Sequence, residues 1–171
     1  MSIEVKICGL TNAADALAAL DAGADYLGFV LYEKSPRYIS PTALRHLCEQ
    51  HAQIKRAVGV FVNMPAAMVQ VVAKDCGLYA MQIHGDEPAA GYTEMATPVW
   101  RALRFRDDAW RPAPGHWPAV RYVVDATVTG EYGGTGVRAD WGAAATLAET
   151  HAIMLSGGLT VENVAEGVRQ V

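Results

Sequence analysis

No stretch of apolar residues in this chain approaches the ~20 needed to cross a bilayer, so no membrane span is expected. Runs of Lys or Arg are also missing. With a formal net charge of −4, that argues against nucleic acid as a general partner. The first residues enter a strand pattern directly, without the basic start, apolar block and small-residue cleavage site of a signal peptide. Cysteine is scarce: Cys8, Cys48 and Cys76 are odd in number and lack metal-ligand spacing, so no metal site is expected. A reduced, cytoplasmic setting fits these absences, and Cys48 and Cys76, in helix-like stretches, read as packing residues. Nor does a G-x-G-x-x-G follow the first strand, which weakens a dinucleotide-binding reading.

What is present is 171 residues, 51% of them hydrophobic, which is enough for one domain with a real core. Ile3, Val5 and Ile7 alternate with Glu4, Lys6 and Cys8, predicting a strand with one apolar and one mixed face. Thr11-Asn12 then stand before a helix-forming run, Ala13 to Leu20. Further strands are predicted over Asp25–Leu31, Ala57–Val62, Leu78–Ile83, Val99–Phe105, Val120–Asp125 and Ala152–Leu155. Helices are predicted from Pro41 to about Gln50, from Pro65 towards Cys76, from Asp140 to about Glu149, and from Val161 to about Arg169. A weak helix is expected between Pro88 and Ala96. The proline-bearing segment from Asp107 to Pro118 leaves no room for a full one. Strands alternating with crossovers predict an α/β protein with a parallel sheet, either doubly wound or a (βα) barrel.

Chemistry-bearing residues favour the barrel, because Cys8, Arg37, His84, Asp125 and Gly157-Gly158 fall at or just past C-terminal strand ends. A lone cysteine is more often a small buried hydrophobe than a reactive thiol. Asp125, behind three apolar or aromatic residues, is either a partly desolvated general acid or a cap on the next turn. Arg37 after Pro36 could clamp a carboxylate or simply be solvated. His84 could orient a substrate or serve a turn. Gly157-Gly158, between a strand and a helix, could bring backbone N–H groups to an anion or close a turn. Gly133-Gly134-Thr135-Gly136 offers phosphate contacts or a flexible link. Parity adds an expectation: Cys8 shares a face with Lys6, Asp125 with Val123 and Arg121, and Gln82 with His84.

The order of these motifs narrows the choice. Lys6-Ile7-Cys8-Gly9-Leu10-Thr11, Leu27-Gly28-Phe29 with Ser35-Pro36-Arg37-Tyr38, and Val58 to Asn63 come first. Gln82-Ile83-His84-Gly85-Asp86, Val124-Asp125 with the glycine loop, and Ser156-Gly157-Gly158-Leu159 follow. In this order they closely resemble the phosphoribosylanthranilate isomerase family of tryptophan biosynthesis. The resemblance implies a (βα)8 TIM barrel without metal or organic cofactor. It also implies a small-molecule substrate carrying a phosphosugar and an anthranilate, and an Amadori rearrangement. Cys8 is implied as general base and Asp125 as general acid. Arg37 is implied on the anthranilate carboxylate, His84 beside the substrate, and Gly134, Gly157 and Gly158 in substrate and phosphate binding. A cysteine base needs a nearby positive field, for which Lys6 or a helix N-terminus are candidates.

The family continues with an eighth strand, a phosphate-binding loop and a last helix, whereas the sequence given ends at Val171. The expectation is therefore a single (βα) barrel domain over 1–171 with about seven βα units, lacking the eighth. Two alternatives stay open at this point. One is a histidine-pathway aminoaldose isomerase on a related barrel, against which Cys8 counts because paired aspartates work there. The other is a non-catalytic truncated fragment. Oligomeric state is not legible.

Overall fold

The structure, a computed structural model, describes residues 3–126 and 136–171. Its contacts divide the chain into two compact units, 1–98 and 99–171. Both contain parallel strands joined by helical crossovers, which is α/β architecture.

The first unit holds strands β1 (Lys6–Cys8), β2 (Tyr26–Val30), β3 (Ala57–Phe61) and β4 (Ala80–Ile83), paired in parallel in that order. Helices α1 (Ala13–Asp21), α2 (Pro41–Gln50) and α3 (Ala66–Asp75) make the crossovers. Two starts follow the sequence rules closely. Asn12 accepts a hydrogen bond from the Asp15 N–H at 2.9 Å, and Ser40 accepts one from Ala43 ahead of Pro41 in the first turn. Register sorts the strand side chains into two rows. Ile7, Leu27, Phe29, Phe61, Met81 and Ile83 share one face, and all but Ile7 are buried, as are Ala16, Leu44 and Val69 of the helices. The other row carries Lys6, Cys8, Gly28, Val58, Val60 and Gln82. β1 is shorter than expected: Ile3, Glu4 and Val5 lie outside it and are exposed. Between Pro88 and Ala96 only a single 3-10 turn forms, Ala89–Tyr92, in a segment flanked by proline and interrupted by Gly91.

In the second unit β5 (Val99–Arg106) pairs in parallel with β7 (Arg121–Asp125), and β7 with β8 (Ile153–Leu155). The proline-bearing segment, where no full helix is expected, folds back as β6 (Ala109–Arg111), antiparallel to β5. The turn is Asp107-Asp108, both at positive φ (50° and 54°), a conformation Asp tolerates and tight hairpins require. Phe105 and Trp110 meet across it, ring centroids 5.1 Å apart. Helix α4 (Trp141–Ala148) starts at an Asp140 cap, whose carboxylate accepts from the Ala143 N–H at 2.9 Å. Helix α5 (Val164–Gln170) begins later than expected, after a turn at Thr160 to Asn163.

Candidate active site

Cys8 is the last residue of β1 and is exposed, which removes its reading as a buried packing group. Across the ladder it is in register with Gly28 of β2. Arg37, from the loop after β2, reaches back to donate a hydrogen bond from Nη1 to the Cys8 carbonyl at 3.1 Å. Gly9 makes that reach possible: a Cβ there would meet Arg37 Cδ at 2.5 Å and Nη1 at 2.7 Å. A thiol and a guanidinium far apart in sequence are thus brought to one strand end.

His84 follows β4 and is only 5% exposed, so it is no solvated turn residue. As parity predicts, its ring sits beside Gln82, with Gln82 Nε2 3.1 Å from His84 Nδ1. With the amide nitrogen donating, Nδ1 accepts, and a neutral ring carries its proton on Nε2. Reading the sequence missed what fixes this corner. Asn63, after β3, sits at φ 53°, and its N–H donates to Glu87 Oε1 at 2.6 Å. Its own Oδ1 accepts from the Asp86 N–H at 2.8 Å, while Gly85 leaves no room for a Cβ against Asn63. A 320 Å³ cavity opens at these loops, lined by Asn63, Asp86, Glu87 and Tyr92 but not by Cys8.

In the second unit Asp125 ends β7 and is 7% exposed. Its Oδ1 accepts a hydrogen bond from the Ala126 N–H at 2.8 Å, so a local turn contact and burial coexist. Asp125 shares its face with Val123 and Arg121. The register adds Trp100, Ala102 and Arg104 to that face, with Arg104 directly opposite Asp125. The Arg121 guanidinium lies 4.8 Å from the Trp100 ring centre, as neighbours in one row should. Sequence reading did not single out Arg104, because its alignment with Asp125 exists only once β5 and β7 pair.

Gly157 and Gly158 both have positive φ, 77° and 64°. A Cβ on Gly157 would stand 2.6 Å from the Ala126 nitrogen and 2.8 Å from Asp125 Oδ1. One on Gly158 would press on the backbone of Val137 and Arg138. Gly157 is therefore tied to the acid itself, and Gly158 to the Val137-Arg138 backbone. The helix expected directly behind it starts only at Val164; Asn163 instead donates from Nδ2 to the Gly158 carbonyl at 2.9 Å. A 420 Å³ cavity lies against Asp125, lined also by Phe105, Arg138, Trp141 and Gln170. Gly134 lies outside the described residues. Among the described residues no group of three or more His, Cys, Asp or Glu side chains could hold a metal ion.

Comparison with known proteins fits this geometry. The family model for N-(5'phosphoribosyl)anthranilate (PRA) isomerase matches residues 5–171. The N-(5'-phosphoribosyl)anthranilate isomerase of Pelobacter propionicus is 40% identical over 169 residues, covering 99% of this chain and 81% of that protein. The crystal structure of phosphoribosyl anthranilate isomerase from Thermus thermophilus superposes with a TM-score of 0.84 at 33% identity, over 98% of this chain and 83% of that one. A phosphoribosyl anthranilate isomerase solved in complex with reduced 1-(o-carboxyphenylamino)-1-deoxyribulose 5-phosphate gives 0.79 at 31% identity, over 99% and 83%. The fold is accordingly of the (βα)8 TIM-barrel type.

Proposed function

Because this chain belongs to the N-(5'-phosphoribosyl)anthranilate isomerase family, we propose that Cys8 is its general base and Asp125 its general acid. Its function is the isomerisation of N-(5-phosphoribosyl)anthranilate in tryptophan biosynthesis, an aldose–ketose interconversion on a small phosphosugar. In the Amadori rearrangement, Asp125 donates a proton to the furanose ring oxygen. The bond from that oxygen to the anomeric carbon breaks, its electron pair leaving on the oxygen while the lone pair of the anthranilate nitrogen forms the C1=N bond of an iminium. Cys8, as thiolate, removes the C2 proton, and the released electron pair forms an enolamine that tautomerises to the ketone. Arg37 binds the anthranilate carboxylate, its planar fork suited to two parallel hydrogen bonds. His84 borders the substrate and donates from Nε2. Gly157 and Gly158 offer backbone N–H groups to the phosphate, and Gly134 contributes to substrate binding. Phosphate binding at the far end of the sugar then fixes the orientation at C2.

The observation that supports this reading best is the exposed thiol at the end of β1 with the Arg37 guanidinium on its carbonyl. No cofactor takes part in the proposed steps. Residues 1–171 are proposed to work as a single domain of the barrel type. A cytoplasmic location goes with the reading, and among the described residues no helix is long and apolar enough to cross a membrane.

Loss of anthranilate-adduct fluorescence on turnover tests the roles directly. Cys8→Ser, a poor base at neutral pH, should lose at least ~100-fold in kcat while KM changes little. Asp125→Asn should lose kcat to a similar degree. Near-normal kcat in Cys8→Ser would remove that residue from the chemistry, and a rise in KM alone would make Asp125 a binding residue.

A further inference from the structure

The thiol proposed as general base shares its strand face with a lysine arm, and the glycine across the ladder leaves the space that both border. The position that a Cβ on Gly28 would take lies 2.7 Å from Cys8 Sγ, 3.0 Å from Cys8 Cα and 3.0 Å from Lys6 Cε. Any side chain at residue 28 would therefore displace the thiol, the lysine arm or both. Lys6 and Cys8 are two residues apart on β1, on the same face, and β1 places them against Tyr26 and Gly28 of β2. Without a Cβ at 28, the lysine arm folds towards the sulfur and both side chains converge on one spot.

We propose that Lys6 is a positioning residue for Cys8, its ammonium held beside the thiol through the gap left by Gly28 and stabilising the thiolate form. The proposal rests on the reading of Cys8 as the base. Two basic side chains come near Cys8: Lys6 on its own strand, whose Cε borders the Gly28 gap, and Arg37 from the loop after β2, which bonds the Cys8 carbonyl. Arg37 is no substitute for Lys6: it is assigned to the anthranilate carboxylate, and a bound carboxylate cancels most of its field at the moment the base must act. Lys6 keeps its charge in that complex. The same arrangement explains why a small residue is needed at 28, in the middle of a five-residue strand whose other members are all large.

Alkylation by iodoacetamide, followed at the Cys8 peptide by mass spectrometry across pH 5 to 10, reads the thiolate directly and needs no turnover. Lys6→Met should move the midpoint of Cys8 alkylation up by about one pH unit, and the acid-side limb of kcat/KM, where activity rises with pH, should move up with it. Lys6→Arg should restore most of both. Gly28→Ala should give the same upward shift with Lys6 in place; circular dichroism identifies a fold failure in that variant, and Lys6→Met then decides alone. An unchanged alkylation midpoint in Lys6→Met overturns the proposal. So does a rise in KM with kcat intact, which would place Lys6 on the substrate instead. If Cys8→Ser retains its kcat while the alkylation shift appears, the general-base role fails and the Lys6–Cys8 coupling stands.

Discussion

Asp125 and Gly157 form a unit that neither residue makes alone. The carboxyl oxygen that accepts from the Ala126 N–H is also the atom that a Cβ at 157 would meet at 2.8 Å, at a φ of 77°. Gly157→Ala therefore meets two obstacles, a backbone region costing an L-residue ~1–2 kcal/mol and a clash with the proposed acid. The expected result is a loss of stability of that size in urea unfolding, with kcat down at least ~10-fold because the carboxyl must turn. Wild-type kcat at reduced stability would mean that the glycine shapes only the turn. At this scale the sequence was informative about identity and silent about coupling. Cys8, Arg37, His84 and Asp125 could be picked out one by one. That Arg37 holds the Cys8 carbonyl, or that Asn63 locks Asp86 and Glu87, depends on contacts between residues more than twenty positions apart.

Elements were legible where local rules act alone. The Asn12, Ser40 and Asp140 caps were readable because each bond closes over three residues. The β6 hairpin was not: its turn pair Asp107-Asp108 lacks the glycine that usually announces such a turn, and the following prolines argued only against a full helix. Helix α2 and the end of α3 show a further consequence of packing. Burial pushes the Cys48 thiol from 9.0 up to about 11, with Cys76 and Glu49 nearby adding to the rise. Cys76, whose Sγ donates to the Pro41 carbonyl at 3.4 Å, is also raised, again mainly by burial. Between the unfolded value and the folded one, the native chain holds a proton that the unfolded chain has released, so stability must fall as pH rises. We expect the urea midpoint to decline from pH 9 towards 11. In Cys48→Ser, which cannot titrate there, that decline should be shallower. Equal slopes in both proteins would show that other groups carry the alkaline loss.

For the whole molecule, charge sets a problem that composition alone answers wrongly. The chain carries a net charge of −4, yet its substrate bears a phosphate and a carboxylate. Global charge would repel such a ligand, and added salt would then raise kcat/KM by screening the repulsion. The C-terminal end of β1 tells against this. The Lys6 arm and the Arg37 guanidinium both lie near Cys8 there. Interactions within a few ångströms outweigh the diffuse remainder once the screening length falls to ~8 Å, near physiological salt. The expected outcome is the opposite sign: kcat/KM falls as NaCl rises from 20 to about 300 mM, through KM, with kcat nearly constant. Replacing Arg37 by Met should flatten that dependence, because one of the local cations that oppose the net charge is gone. A kcat/KM that climbs with salt would mean that the net charge governs encounter and that the cations beside Cys8 do not offset it.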